Sequence, residues 1–160
     1  MATTKKSKHI TGKLPTPQPA GMEVISVYES IALATTDIDL ADVVQFFVLP
    51  AGCVPVGYAI GVTDMDTAGP TLTANLGLLN TGGTAISTDA ADGGNEWIQD
   101  LSLGGAAAIT LHTASKAAYD ILKAVTPSTI DRIVALVISA AAATAASGTA
   151  TLEFSYKAAN

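Results

Sequence analysis

The chain has 160 residues, enough for one domain with a single hydrophobic core; 49% of them are apolar and only 5% are aromatic. Four of its eight basic residues fall within the first twenty positions, where there is no acid, so the remainder has four basic against 14 acidic residues, a net charge of −10. An acidic body repels phosphate, which excludes nucleic acid as the expected partner.

Residues 1–21 predict an extended N-terminal arm. They are basic and polar, and three prolines separated by single residues favour a polyproline-like backbone with no core of its own. Either a disordered tail or a tether that orders on an acidic partner fits this composition. The tether hypothesis expects deletion of residues 1–19 to weaken binding and to leave melting nearly unchanged. Its candidate partner-binding residues are Lys5, Lys6, Lys8, Lys13, Pro15, Pro17 and Pro19.

Residues 22–160 predict a folded β domain, because apolar side chains recur at every second position over several short runs. Strands are expected at residues 24–33, 42–49, 54–62, 71–78, 130–140 and 149–157, with weaker ones at 84–87 and 106–112. This number of strands without βαβ spacing predicts an all-β, antiparallel β-sandwich of jelly-roll type. The predicted core comprises Val56, Tyr58, Ile60, Leu72, Leu76, Leu136, Ile138, Leu152 and Phe154.

Residues 114–125 fit two interpretations. Ala118, Ile121, Leu122 and Val125 have the spacing of a short amphipathic helix, whereas a loop followed by a strand at residues 119–122 also accommodates them. Because the surrounding segments are all β, the loop and strand are the expected arrangement.

The candidates for catalysis are few. Cys53 is the sole cysteine, which excludes an intrachain disulfide, and we expect a buried, unreactive thiol. His112 is the only histidine outside the arm, so a Ser–His–Asp triad has a single candidate base and nothing else in the sequence supports one. No phosphate-binding glycine loop is present. We therefore expect no enzyme activity and no cofactor.

Binding sites outside the arm are also weakly indicated. Asp64 and Asp66, with Asp89 and Asp92, offer oxygen ligands but lack the spacing of a calcium loop, so we expect solvated loop acids. Trp97 and Tyr58 suit either a sugar platform or, as expected for isolated aromatics, packing. The long loop at residues 80–95 has the length of a functional or mobile segment.

No segment predicts contact with a membrane. Residues 1–21 lack the apolar centre of a secretory signal, and the apolar run at residues 133–146 is too short to span a bilayer. We expect a soluble protein made in the cytoplasm.

The order of features resembles small virion proteins of tailed bacteriophages, among them head decoration (cement) proteins. The matching stretch is Ala41-Asp42-Val43-Val44-Gln45-Phe46-Phe47-Val48-Leu49-Pro50-Ala51-Gly52-Cys53-Val54-Pro55-Val56-Gly57-Tyr58. Segments like residues 71–77, Tyr119-Asp120, residues 130–138 and a closing Gly-Thr-hydrophobic strand at residues 148–156 follow it. The similarity covers residues 24–157 and leaves out the arm. At Leu78-Leu79-Asn80 many relatives instead place an Asp after the Gly.

The resemblance implies a non-enzymatic β-sandwich on the capsid exterior, commonly a homotrimer. Its partner would be the major capsid protein or another virion protein, and it would be made in the host cytoplasm. Two alternatives are a tail-fibre or baseplate adhesin, for which more exposed aromatics are expected, and a small jelly-roll hydrolase, which lacks a credible base.

Overall fold

The computed structural model describes residues 2–69, 71–105 and 110–159 and places nine strands and one α-helix in them. The elements are β1 (Thr4–Lys6), β2 (Val24–Leu33), β3 (Val43–Leu49), β4 (Cys53–Val62), β5 (Thr73–Leu78), β6 (Ile98–Ser102), β7 (Thr110–Thr113), α1 (Lys116–Ala124), β8 (Arg132–Ala140) and β9 (Gly148–Ala158). Short 3₁₀ turns lie at Thr35–Asp37 and Ala90–Asp92.

Strands β2 to β9 form two antiparallel sheets of four, in the orders β3-β8-β5-β6 and β2-β9-β4-β7. This eight-stranded, two-sheet arrangement is a jelly roll. The predicted all-β sandwich is therefore confirmed. Strand β1 extends the first sheet at its β3 edge, and it pairs parallel to β3.

The core lies between the two sheets and contains a continuous aromatic stack. Trp97 stands between Tyr58 and Phe154, with ring centroids 5.9 and 5.6 Å apart, and Phe154 in turn stacks on Tyr156 and Phe47. Strand β9 supplies this core through strict alternation, because Ala150, Leu152, Phe154 and Tyr156 are all fully buried. All predicted core residues are buried except Val56.

Two irregularities in strand pairing explain the departures from alternation. The β4–β9 register shifts between Pro55 and Gly57, so Cys53 and Pro55 point inward before the shift and Tyr58 points inward after it. The prediction that Val56 belongs to the core is wrong for this reason. A second shift, between Gln45 and Phe47 in β3, allows Phe46 and Phe47 to be buried in succession.

Helix α1 replaces the expected loop and strand. It begins after Ser115, whose hydroxyl accepts a hydrogen bond from the Ala118 N–H at 3.1 Å, and it buries Ala118 and Leu122. The expected strand at residues 84–87 is likewise wrong, since a single bridge joins Leu79 to Ile86. The strand at residues 106–112 is observed from Thr110, and its first four positions lie outside the described residues. Within the described part of the chain, no helix has the length and apolarity needed to cross a membrane.

Candidate functional site

The N-terminal arm is the candidate binding site, and the structure packs it against the body of the same chain. Strand β1 aligns Thr4, Lys5 and Lys6 with residues 43–45 of β3. Ser7 follows and is buried; its N–H donates to the Gln45 carbonyl at 2.9 Å and its hydroxyl donates to the Phe46 carbonyl. This part of the arm therefore pairs with the sheet of the body along β3.

Lys5 is the arm lysine that the body neutralises. Its Nζ lies 2.9 Å from the Asp37 carboxylate in the 3₁₀ turn after β2. Partial burial alone would raise the pKa of Asp37, but hydrogen bonds from Lys5 and from the Ala34 N–H, together with the Lys5 charge, outweigh that effect and hold this pKa below its ordinary value. Lys5 thus adds one ion pair to the backbone pairing that holds β1 against β3.

His9 joins the arm to both sheets. Its Nε2 lies 3.6 Å from the Glu29 Oε2 on β2, and its ring centroid lies 5.1 Å from that of Phe47 on β3. Nδ1 lies 3.1 Å from the Pro15 carbonyl oxygen, so the imidazole also bridges two parts of the arm. Glu29 is buried, and its Oε2 has no hydrogen-bond partner among the described residues, so His9 lies beside this carboxylate without forming a hydrogen bond to it.

The proline segment is also anchored. The buried Tyr156 hydroxyl donates a hydrogen bond of 2.6 Å to the Pro17 carbonyl. Burial, with a smaller contribution from nearby Cys53, raises the pKa of Tyr156 to about 12. Pro15 is exposed, whereas Pro17 and Pro19 are half-buried.

The remaining arm lysines point outward. Lys6, Lys8 and Lys13 are exposed, and none forms an ion pair with the residues that the structure describes. The Lys13 N–H donates to the Lys8 carbonyl at 2.9 Å, which holds these two residues close together in a turn. The arm therefore presents three unneutralised cations on a firmly docked backbone, beside a body of net charge −10.

Asp66, from the predicted acidic cluster, has a structural role. Asp66 is buried, and its carboxylate accepts hydrogen bonds from the Thr71 hydroxyl at 2.6 Å, from the Thr71 and Leu72 N–H groups, and from the Ala143 and Thr144 N–H groups. These bonds hold the pKa of Asp66 far below its ordinary value. The interpretation of Asp66 as a solvated loop acid is wrong, because its lone pairs are occupied by the chain itself.

The other predicted acids and the thiol also have structural roles. Asp89 accepts the Ala91 N–H at the start of a 3₁₀ turn, and Asp92 lies 2.9 Å from the buried Arg132 guanidinium. Among the described residues no group of three or more potential metal ligands comes together. Burial, and then the charge of Asp131, raises the pKa of the Cys53 thiol, which disfavours the reactive thiolate.

Trp97 and Tyr58 belong to the hydrophobic core and do not form a sugar-binding platform. Trp97 is 3% exposed, and the Tyr58 hydroxyl donates to the Trp97 carbonyl at 3.1 Å, so neither ring is available for stacking on a sugar. Burial raises the pKa of Tyr58 to about 12. His112 lies in β7 opposite Ile60. The long loop at residues 80–95 folds back through the Leu79–Ile86 bridge and a 3₁₀ turn.

Sequence reasoning missed the close approach of His9 to the buried Glu29. A usable signal was present, because Glu29 falls on the inward parity of β2 with Val27, Ile31 and Leu33, where an unpaired acid is costly. The polar group that the fold brings to Glu29 is His9, the histidine of the arm.

Comparison with known proteins adds one match in structure. No protein-family model matches the chain, and no curated protein matches it. A chain in the solved structure of the capsid of Ralstonia phage GP4 is similar, with a TM-score of 0.79 and 23% sequence identity over 98% of this chain and 99% of that chain. The shared fold therefore includes the arm as well as the sandwich, and the two chains are nearly equal in length.

Proposed function

We propose that this chain is a non-enzymatic structural protein of a tailed-phage virion that decorates and stabilises the capsid exterior. The observation that carries the proposal is the end-to-end similarity in fold to a chain of a phage capsid. Its partner is the major capsid protein or another virion protein, and its site of synthesis is the host cytoplasm.

The arm is the proposed attachment surface. Lys6, Lys8 and Lys13 are free to meet carboxylates of the capsid shell, while Lys5 and the three prolines hold the arm in shape. A docked arm loses little conformational entropy on binding, which favours affinity. Each exposed ion pair contributes only about 0–1 kcal/mol and is screened by salt, so stable attachment requires several copies acting together.

We propose in addition that the protein acts as a homo-oligomer, a trimer in the arrangement implied by the family resemblance. The outer face of the β2-β9-β4 sheet carries many serines, threonines, alanines and glycines, which alternate with the inward-facing core residues, and Tyr28 projects from it with 66% of its surface exposed. Ser26 and Ser155 hydrogen-bond across it at 2.7 Å, as do Ser30 and Thr151. Exposed apolar side chains at one end of this face, Val24 among them, offer a copy of the chain an apolar contact.

Binding to particles that lack the protein tests the decoration role and the role of the arm as the attachment surface. Purified chain is mixed with such particles and sedimented at several salt concentrations. The wild type should sediment with the particles. A Lys6→Ser/Lys8→Ser/Lys13→Ser variant should retain its melting temperature and bind up to about a hundredfold more weakly, with a smaller salt dependence. Lys116→Ser, which removes an exposed lysine from α1, is the matched control.

The outcomes separate the claims. If the wild type does not bind the particles, the decoration role is wrong. If the triple variant binds as tightly as the wild type, the decoration role stands and the arm is not the attachment surface.

A further inference from the structure

An apolar groove opens on the outer face of the second sheet, beside the helix. Val24, Lys157 and Val54 lie side by side across β2, β9 and β4, because Lys157 pairs with both valines in register. Tyr119 and Lys123 of α1 close the other side, and the groove has a volume of about 410 Å³. Val24 is 52% exposed and Tyr119 48% exposed, so the groove is open to a partner.

The pairing irregularity in β4 creates this surface. It turns Val54 and Val56 toward the outer face, whereas uninterrupted alternation with Tyr58 would have buried both side chains in the core. Irregularities of this type are known to re-aim side chains near binding sites. Two valines that composition would place inside thus line the groove.

The groove is also lined by the basic residues of the body that form no ion pair with described residues. The body has four basic residues, of which Lys116 pairs with Asp120 and Arg132 pairs with Asp92. The remaining two, Lys123 and Lys157, form no ion pair with described residues, and both line the groove. Two lysines bordering an apolar surface fit an occupant that combines an apolar side chain with a carboxylate.

A turn that combines an apolar side chain with a carboxylate lies beyond the far end of β2 from the groove. Leu40 is 60% exposed in the turn that follows β2, while the groove lies at the start of β2, about 30 Å away along a ten-residue strand. Asp39 beside it is exposed, and its carboxylate has no partner among the described residues.

This turn is held firmly. The Asp39 N–H donates to the buried Asp42 carboxylate at 2.8 Å, the Asp42 N–H donates to the Asp39 carbonyl at 3.0 Å, and the neighbouring Ile38 is buried. Ala41 adopts φ of +69°, an unusual backbone conformation for a residue with a Cβ. A rigid backbone thus presents an apolar side chain and a carboxylate together.

We propose that copies of this chain associate head to tail, with the Asp39–Leu40 turn of one copy in the Val24/Val54/Tyr119 groove of the next. Leu40 packs between the valines and Tyr119, and the Asp39 carboxylate meets Lys123 and Lys157. A contact between two different surfaces closes into a ring when successive copies rotate about a common axis. The inference rests on the oligomeric part of the proposed function and names its interface.

Sedimentation velocity of the purified full chain at micromolar concentrations tests the contact. The wild type should self-associate. Leu40→Ser and Lys123→Glu should each weaken association about tenfold or more, because the first loses the burial of an apolar side chain and the second replaces an attraction to Asp39 by a repulsion. Asp39→Lys should weaken it as well, and combining Asp39→Lys with Lys123→Glu and Lys157→Glu should restore association. The melting temperature of each variant establishes that it is folded.

Two substitutions serve as matched controls. Tyr28→Ser removes a 66% exposed aromatic from the same sheet face outside the groove, and Ile130→Ser removes a 62% exposed apolar side chain outside the turn. Both should associate as the wild type does. A monomeric wild type, association that survives Leu40→Ser and Lys123→Glu, or equal loss in the controls would each overturn the proposed contact. Particle binding by the wild type is measured separately, so failure of decoration and failure of this interface are distinguishable.

Discussion

Ser7→Ala tests whether the arm is part of the fold. Ser7 is buried, and its hydroxyl donates to the Phe46 carbonyl and accepts the Ile10 N–H at 3.2 Å. Phe46 is the residue at which the β3–β8 register shifts, so regular pairing does not align its carbonyl with a partner. Alanine leaves a buried carbonyl and an N–H without their partner, which costs about 1–3 kcal/mol of unfolding free energy.

Urea and thermal unfolding followed by circular dichroism measure this cost. For a domain of this size, about 1–3 kcal/mol corresponds to a fall in melting temperature of about 2–12 °C. Thr4→Ala is the matched control, because Thr4 is exposed in β1, three residues before Ser7, and its effect should stay within about 0.5 kcal/mol. If Ser7→Ala is as neutral as Thr4→Ala, the arm does not pack against the body as described.

Three further results are expected. Leu152→Ala, in the middle of β9, should lower the free energy of unfolding by about 2–5 kcal/mol in urea titrations, because Leu152 is fully buried. Stability should decline as pH rises from about 10, where an unfolded tyrosine ionises, to about 12, the folded pKa of Tyr58 and Tyr156, and unfolding at graded pH measures this. Asp66→Ala should lower the melting temperature more than Asp64→Ala, since Asp66 binds the backbone of two segments, residues 71–72 and 143–144.

Each of these results has a contrary outcome. A change below about 0.5 kcal/mol for Leu152→Ala would contradict the core assignment. Flat stability up to pH 12 would show that the two tyrosines are accessible to solvent in the folded chain. Equal effects at Asp64 and Asp66 would refute the structural role of the buried carboxylate.

Alternation predicted the strands well where one face is buried and pairing is uninterrupted. Strand β9 lies between β2 and β4, and its four inward residues are those that the period of two selects. The same rule failed at Val56 and cannot account for Phe46 together with Phe47, because a shift in register depends on the partner strand. The partner strand lies far away in the sequence, so the local pattern of apolar residues cannot predict the shift.

The helix was predictable in principle. Ser115 is a good N-cap residue, and Ala118 and Leu122 are spaced by one helical turn. The predominance of strands around the segment outweighed these local signals in the prediction. The segment is helical in the structure, and the Ser115 hydroxyl caps its first turn.

The charge of the candidate site was predictable and its placement was not. Composition identified the lysines and prolines, but the contacts that fix the arm span large sequence separations, such as Tyr156 to Pro17 and Ser7 to Phe46. Which lysine is neutralised depends on Asp37 being carried to Lys5 by the end of β2. Such pairings arise from the tertiary fold, so the sequence alone could not separate Lys5 from Lys6, Lys8 and Lys13.

Electron cryomicroscopy of particles mixed with the purified chain tests the central claim most directly. The account predicts density for a two-sheet jelly roll on the outer surface of the shell, with the face that carries Lys6, Lys8 and Lys13 toward the capsid. Shells that stay bare at saturating concentrations of the chain, or density confined to the tail or the interior, would contradict the proposed decoration of the capsid exterior.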